Sequence, residues 1–442
     1  MKENLFSKQM TLKEYNDAVA ATRDERMAWW NEARFGMFVH YGPYSVAGRH
    51  EWIMALDGYT VPEYEEKITS KFHPKKGCAR EWVKLASEAG CKYMVMVTRH
   101  HDGYSMWDSD VNPYNVVKFG HNHDVTAEYV AACREFGMRV GFYHSVMDWH
   151  HPDGSAAAYD MAARLRFIDY HRGMLNELLT RYGKIDVLWY DVCWPFGGTD
   201  MDFVETNRMV RTLQPDIIIN PRSGIAEDLD TPEEIIQKSE KYWESCMTFN
   251  GLSWGYVDSD QVAPYSYNAN RIVRMLNQVS SDRGNLLLNI GPAPDGSIPA
   301  ETIEPMRKVG QWLKVNGEAV YGAQTPAHLT NVGGGTYWIS GGNVSMRDNS
   351  LFLWYYIWTA TGELRTAGIL GKVKKVRCLA DGKEYPFVQD GVKLTITGLP
   401  INPPDKILGI SVLEVVCEKQ PKLMLGPMLT PLSRLRKPPE ID

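Results

Sequence analysis

The sequence predicts an α/β chain, a (β/α)8-like, TIM-type barrel followed by a C-terminal antiparallel β-sandwich, and three observations carry the prediction. Short apolar, β-branched or aromatic segments alternate with amphipathic helical ones over roughly the first 300 residues, the pattern of a parallel sheet wrapped in helices. Polar, titratable residues come directly after those segments, at their C-terminal ends, where a barrel gathers its loops. Beyond about residue 325 the helices give way to alternating strands separated by Gly or Asp-Gly turns.

The strand-like segments are 36–39, 93–97, 139–143, 185–190, 217–219 and 286–290. Between them, 78–89 (CAREWVKLASEA), 125–136 (VTAEYVAACREF) and 165–182 carry the 3.6-residue period of amphipathic helices, with Asp124 placed as the N-cap of the second. No GxGxxG follows the first strand, which favours a closed barrel over an open dinucleotide-binding sheet. NVGGGTYWISGGN, LFLWYYIW and VKKVRCLADGKEYPFVQDGVKLTITGL supply the later strands. The expected division is a catalytic unit over 1–325, a sandwich over 326–420 and a tail over 421–442. That tail is Pro-rich and apolar without periodicity, so it reads either as packed chain or as a contact in a homo-oligomer.

Composition excludes several classes. With 44% hydrophobic and 23% charged residues the chain is of ordinary globular type, not disordered or fibrous. A net charge of −6 argues against binding a phosphate backbone, so no nucleic-acid partner is expected. The longest strongly apolar run, 351–358, is far below the ~20 residues of a membrane-spanning helix, and the N-terminal sequence contains no apolar leader core. No membrane association and a cytoplasmic location are therefore expected. Seven scattered cysteines without CxxC spacing indicate neither a disulfide framework nor a zinc ribbon, and fit a reducing compartment.

The chemistry lies at the strand ends. KIDVLWYD ends on Asp191, ringed by Trp189, Tyr190 and Trp194, where apolar walls limit a carboxylate's solvation and suit it to act as nucleophile or base. A loop-capping role is the alternative. His40, Thr98, Arg99, His100, His101, Tyr143, His144, Asn220 and Arg222 occupy equivalent strand-end positions. His100 and His101, as neighbours on a strand, are expected to point to opposite faces, so hydrogen bonding to substrate hydroxyls suits them better than sharing one metal ion. His121 and His123 have HxH spacing but precede the helix that Asp124 caps. Downstream, Glu227, Asp228, Asp230, Glu233, Glu234, Glu240 and Glu244 crowd one stretch. Cleaving a glycosidic bond needs two carboxyl groups, one ionised and one protonated, so Asp191 would find its partner there, but position alone does not select which. GNLLLNIGPAPDGSIP reads as a buried strand and turn that close the barrel.

Seven motifs in order, WWNEARFGMFVHYGPYSVAGRHEW, CKYMVMVTRHHDGYSMWDS, VGFYHSVMDWHHPD, KIDVLWYD, DTPEE, KYWESCMTFNGLSWGY and GNLLLNIGPAPDGSIP, resemble the family 29 glycoside hydrolases, the α-L-fucosidases. The resemblance covers about residues 25–320 and implies the barrel and sandwich read above. It implies Asp191 as the nucleophile of a retaining hydrolase, and His40, Glu51, Trp52, His100, His101, Tyr143, Arg222 and Trp254 as the sugar-binding set. For the acid/base it puts Glu233 of the TPE motif first, Glu244 of the WES motif second, and leaves Glu234 possible. The implied substrate is a fucosylated glycan or small fucoside, with no metal or organic cofactor. One departure is that many relatives have Gly after the nucleophile where this chain has Val192 and then Cys193, Trp194 and Pro195, which bears on leaving-group preference. Three other readings stay open: a metal-dependent barrel hydrolase drawing on His40, His100, His101, His121 or His123, an inactive fucose-binding protein, and a hydrolase of related sugars such as an α-L-galactosidase.

Overall fold

The computed structural model describes residues 4–121, 123–193, 196, 200–258, 267–328 and 342–424. Eight parallel strands form one sheet: β1 (Phe35–Val39), β2 (Tyr93–Arg99), β3 (Arg139–Ser145), β4 (Val187–Asp191), β5 (Ile218–Ile219), β6 (Leu229–Asp230), β7 (Tyr242–Met247) and β8 (Asn285–Ile290). Their order, β5-β4-β3-β2-β1-β8-β7-β6, wraps the first strand against the last and leaves β5 and β6 facing each other across a seam. Helices Cys78–Ala89, Val125–Glu135, Met161–Arg181, Phe203–Leu213, Ala269–Ser281 and Ala300–Asn316 cover the outside.

Strand alternation sends Tyr93, Val95 and Val97 inward with Phe38, Tyr143, Val187, Trp189 and Leu287, while Met94 and Met96 face the helices. Both faces are buried, so the strands read as unbroken apolar runs. Gly36 is required by this filling: a Cβ there would lie 2.5 Å from the Tyr93 ring, which occupies the floor of the barrel. The six expected strands are present, with ends shifted by up to two residues. The sequence reading missed β6 and β7. β6 has two residues, and β7 carries Glu244 in its interior, so neither shows an apolar run.

The seam is closed by side chains. Asp228 N–H donates to the Ile219 carbonyl at 3.1 Å and Asp228 Oδ2 accepts from Ile219 N at 3.0 Å. The same carboxylate accepts from Arg211 Nη2 at 2.9 Å and, through Oδ1, from Arg26 at 2.6 Å, while Arg211 also bonds Glu227 at 2.6 Å. Tyr15 and Asn207 complete the Glu227 shell.

The remaining strands are antiparallel, apart from one short parallel pair: β9 (Ala327–His328), β10 (Ser345–Arg347), β11 (Ser350–Tyr355), β12 (Leu364–Ala367), β13 (Ile369–Leu370), β14 (Val373–Cys378), β15 (Phe387–Asp390), β16 (Lys393–Ile396), β17 (Ser411–Cys417) and β18 (Lys422–Leu423). Sheets β10-β11-β17-β14 and β12-β16-β15 share one core of Leu353, Val376 and Leu413 against Leu364, Leu394 and Ile396. Trp312 on the last barrel helix anchors them, packing tilted against Trp354 at 5.1 Å and donating to the Ile410 carbonyl at 2.9 Å. Most of NVGGGTYWISGGN and of the C-terminal tail lies outside the described residues. Among the described residues all seven cysteines are unpaired thiols, and no helix is long and apolar enough to cross a membrane.

Candidate active site

The C-terminal ends of the barrel strands surround a cavity of about 470 Å³, a size that suits one sugar ring. Its lining brings together His40, Glu51, Trp52, His100, His101, Tyr143, Asp191, Arg222, Glu233 and Trp254, together with Phe38, Trp189, Val192 and Cys193.

Asp191 is the last residue of β4. Its Oδ2 accepts from the Tyr143 hydroxyl at 2.8 Å and its Oδ1 from Arg222 Nη1 at 2.9 Å, with His101 Nε2 at 3.8 Å. Burial pushes this carboxyl up, but the Arg222 guanidinium, His101 and the two hydrogen bonds outweigh it and hold Asp191 below the usual carboxylate range. Arg222 sits in the turn Pro221–Ser223 after β5. Asn220 keeps that turn beside β4, its side chain accepting from Tyr190 N at 2.8 Å and donating to Tyr190 O at 2.9 Å. The guanidinium lies over the Trp189 ring, 4.5 Å from its centroid, and its second arm, Nη2, donates to Glu233 Oε2 at 2.8 Å. One planar fork therefore holds both carboxylates.

After Asp191 the chain turns through Val192 at φ 49°, a conformation that costs a β-branched residue on the order of 1–2 kcal/mol. The turn directs Val192 and Cys193 into the cavity wall beside the nucleophile candidate. Trp194 and Pro195 lie outside the described residues.

The histidines are buried and neutral. His40 pairs through Nδ1 with Asn289 Oδ1 at 2.7 Å, and His101 through Nδ1 with Ser145 Oγ at 2.7 Å. Burial lowers all three, His101 to about 4, with the neighbouring imidazoles adding to the effect at His100. The expectation that His100 and His101 face opposite sides fails. β2 ends at Arg99, strand alternation stops with it, and both rings turn into the cavity with centroids 3.9 Å apart. Trp52 meets the His101 ring edge-on at 5.1 Å, and Trp254 lies over His40 at 5.1 Å. With Nδ1 of His40 and of His101 already taken, each of these rings has one nitrogen, Nε2, left for a sugar hydroxyl, and the indoles offer apolar faces to C–H groups.

Other sequence candidates fall elsewhere. Glu244 does not line the cavity. It points into the barrel floor, buried, accepting from the Tyr93 hydroxyl and from Trp189 Nε1 at 3.4 Å, and burial raises it to about 7. Glu234 has φ 56° and turns outward to accept from Thr248. Glu227 and Asp228 close the seam, and Asp230 accepts from Ser239. His144 faces the helices beside His171. The side chain of His121 lies outside the described residues, and His123 precedes the helix that Asp124 caps, without reaching the cavity. Among the described residues no three His, Cys, Asp or Glu side chains are grouped to hold a metal ion. Two contributors escaped the sequence reading: Phe38, hidden in an apolar strand, and Asn289, whose only signal was a polar residue near the end of the buried run NLLLNI.

Residues 5–318 match the family model described as Alpha-L-fucosidase. The chain is 31% identical over 334 residues to the tissue alpha-L-fucosidase of Bos taurus, covering 67% of this chain and 69% of that one. Among solved structures, alpha-L-fucosidase isoenzyme 1 from Paenibacillus thiaminolyticus superposes with a TM-score of 0.80 at 32% identity, covering 90% of this chain and 100% of that one. The Thermotoga maritima alpha-fucosidase in complex with fucose gives a TM-score of 0.70 at 27% identity, over 88% and 96%.

Proposed function

The chain belongs to the alpha-L-fucosidase family, a family of glycoside hydrolases, and from that premise we propose that it releases L-fucose from terminal α-L-fucosides with retention, through a covalent fucosyl-enzyme ester. The fucose found on the Thermotoga maritima relative supports the sugar. The observation that carries the mechanism is the Arg222 fork, which holds Asp191 on one arm and Glu233 on the other. A retaining pair needs its carboxyl groups ~5–5.5 Å apart, and one shared guanidinium keeps them close.

In the first step an Asp191 oxygen attacks the anomeric carbon while Glu233 gives its proton to the departing oxygen. In the second, the Glu233 carboxylate takes a proton from water, which attacks the same carbon and releases Asp191. The depressed Asp191 carboxyl keeps the nucleophile ionised. His40, His100 and His101 hydrogen-bond the hydroxyls, and the Trp rings cover the C–H faces. At 42% exposure Glu233 stands at the rim, where a leaving group has a way out.

Proton NMR of 4-nitrophenyl α-L-fucoside hydrolysis tests the stereochemistry: α-L-fucose is expected first and mutarotates afterwards, whereas first-formed β-L-fucose would refute retention. Glu233→Ala is expected to lose ~10²–10⁴-fold in kcat/KM, with azide partly restoring turnover of an activated substrate as α-L-fucosyl azide. Glu244→Gln distinguishes the two Glu residues. Buried beneath Trp189, away from the cavity, Glu244 exchanges no proton with substrate, so this variant should stay within about tenfold of the parent against the larger loss of an acid/base. For Arg222→Gln, removal of the main lowering charge leaves burial to raise Asp191. The acid limb of kcat/KM should move to higher pH, and an unmoved limb would show that Asp191 is not the group titrating there.

A further inference from the structure

Glu233 lies between β6 and β7, attached to the sheet by a single bridge to Cys246. A half-exposed side chain on such a segment keeps its rotamer freedom unless partners remove it. Arg222 is one partner, and Trp254 is the other, its indole N–H donating to Glu233 Oε1 at 3.1 Å. Trp254 itself lies on a stretch with neither helix nor strand, so side chains must set its position.

Two buried side chains do so from opposite sides of its backbone. Glu51 Oε2 accepts from Ser253 Oγ at 2.7 Å, Trp254 N at 3.0 Å and Gly255 N at 3.1 Å. Asn289, on β8, donates through Nδ2 to Trp254 O at 2.6 Å. Three donors on one carboxylate oxygen are charge-assisted hydrogen bonds, roughly twice as strong as neutral ones. The resemblance gives Glu51 to the sugar, yet one of its two oxygens is wholly committed to this loop.

We infer that Glu51 and Asn289 are positioning residues for proton donation: by fixing both sides of the Trp254 backbone they aim its indole N–H at Glu233 and so hold the acid/base where the glycosidic oxygen leaves. The inference rests on Glu233 as the acid/base.

The test is leaving-group dependence. An aglycone such as 2,4-dinitrophenol departs without a proton, and 4-methoxyphenol needs one, so a misaimed acid harms only the second. Glu51→Gln keeps size and shape but loses the charge. Its kcat/KM is expected to fall ~10-fold further on the 4-methoxyphenyl than on the 2,4-dinitrophenyl α-L-fucoside, part of the 10²–10⁴ a general acid supplies. Trp254→Phe, which keeps a ring and removes the N–H, should show the same bias, and adding Glu51→Gln to it should add little further bias. Asn289→Ala attacks the other side of the peptide and should agree, and it carries the test if Glu51→Gln does not fold. Equal losses on both substrates would overturn the inference and return Glu51 to direct sugar contact. Glu233→Ala, run on the same pair, separates the two failures: bias there without bias in the Glu51 and Asn289 variants sinks the positioning role alone, whereas no bias in Glu233→Ala removes the acid assignment and the inference with it.

Discussion

Asp191→Ala is expected to lower kcat/KM for 4-nitrophenyl α-L-fucoside by about 10⁴-fold or more, the scale of deleting a covalent nucleophile. The loss should appear equally with good and poor leaving groups, because no aglycone substitutes for the bond Asp191 forms. Fold and sugar affinity should survive, since among the described residues the Asp191 side chain bonds Tyr143 and Arg222, with His101 more distant. The vacated space also supplies a stereochemical mark. Azide entering on the Asp191 side gives β-L-fucosyl azide in one inverting step, opposite to the α-azide expected from Glu233→Ala. An Asp191→Ala enzyme with more than about a hundredth of parental activity, or one giving the α-azide, would exclude Asp191 as the nucleophile.

Arg211→Ala is expected to destabilise the fold by about 3–5 kcal/mol, because it leaves buried carboxylates uncompensated. Arg211, Glu227 and Asp228 have no exposed side-chain surface, and Arg26 has almost none. The contribution of Asp228 to the pH dependence has a definite sign, opposed by Glu227, whose carboxyl burial raises. Burial alone would raise Asp228, but Arg211 and Arg26 outweigh it and depress its carboxyl, so its contribution is full above the unfolded value of ~3.9 and fades as pH falls through the lower folded value. Urea unfolding at neutral pH measures the loss, and an unchanged midpoint would mean the seam is held by something else. Arg211→Met combined with Glu227→Gln should recover part of the stability lost in Arg211→Met alone, since the amide change removes the stranded charge while Asp228 keeps Arg26 as its partner.

The strands of this protein were legible where they are long and apolar, as in YMVMVTR and NLLLNI, because burial on both faces leaves little room for polar residues. β6, of two residues, gives too short a signal, and β7 hides its own by directing Glu244 into the barrel. Asp191 was readable from residue type and position together, an apolar run that stops at a carboxylate. Choosing among the Glu residues was not, since Glu233 and Glu234 are adjacent and alike in type, and nothing in the sequence says that Glu233 lines the cavity while Glu234, at φ 56°, accepts from Thr248. Asn289 was unreadable as a site residue for a related reason. Its importance lies in two partners, His40 and Trp254, that are distant in sequence.

The seam between β5 and β6 bears on which catalytic group the barrel itself carries. The ring of strands is completed at Ile219 and Asp228, upstream of the stretch that carries Glu233. Asp191 is embedded in β4 and moves only if the barrel moves. The chain from 231 to 241 pairs with the sheet through one backbone bridge at Glu233, with side-chain bonds from Ser245 and Thr248 beside it, and lies outside the ring itself. On the proposed assignment the nucleophile is thus carried by the scaffold and the proton donor by a segment outside it, so a change in that segment alters the aglycone side while leaving Asp191 where it is.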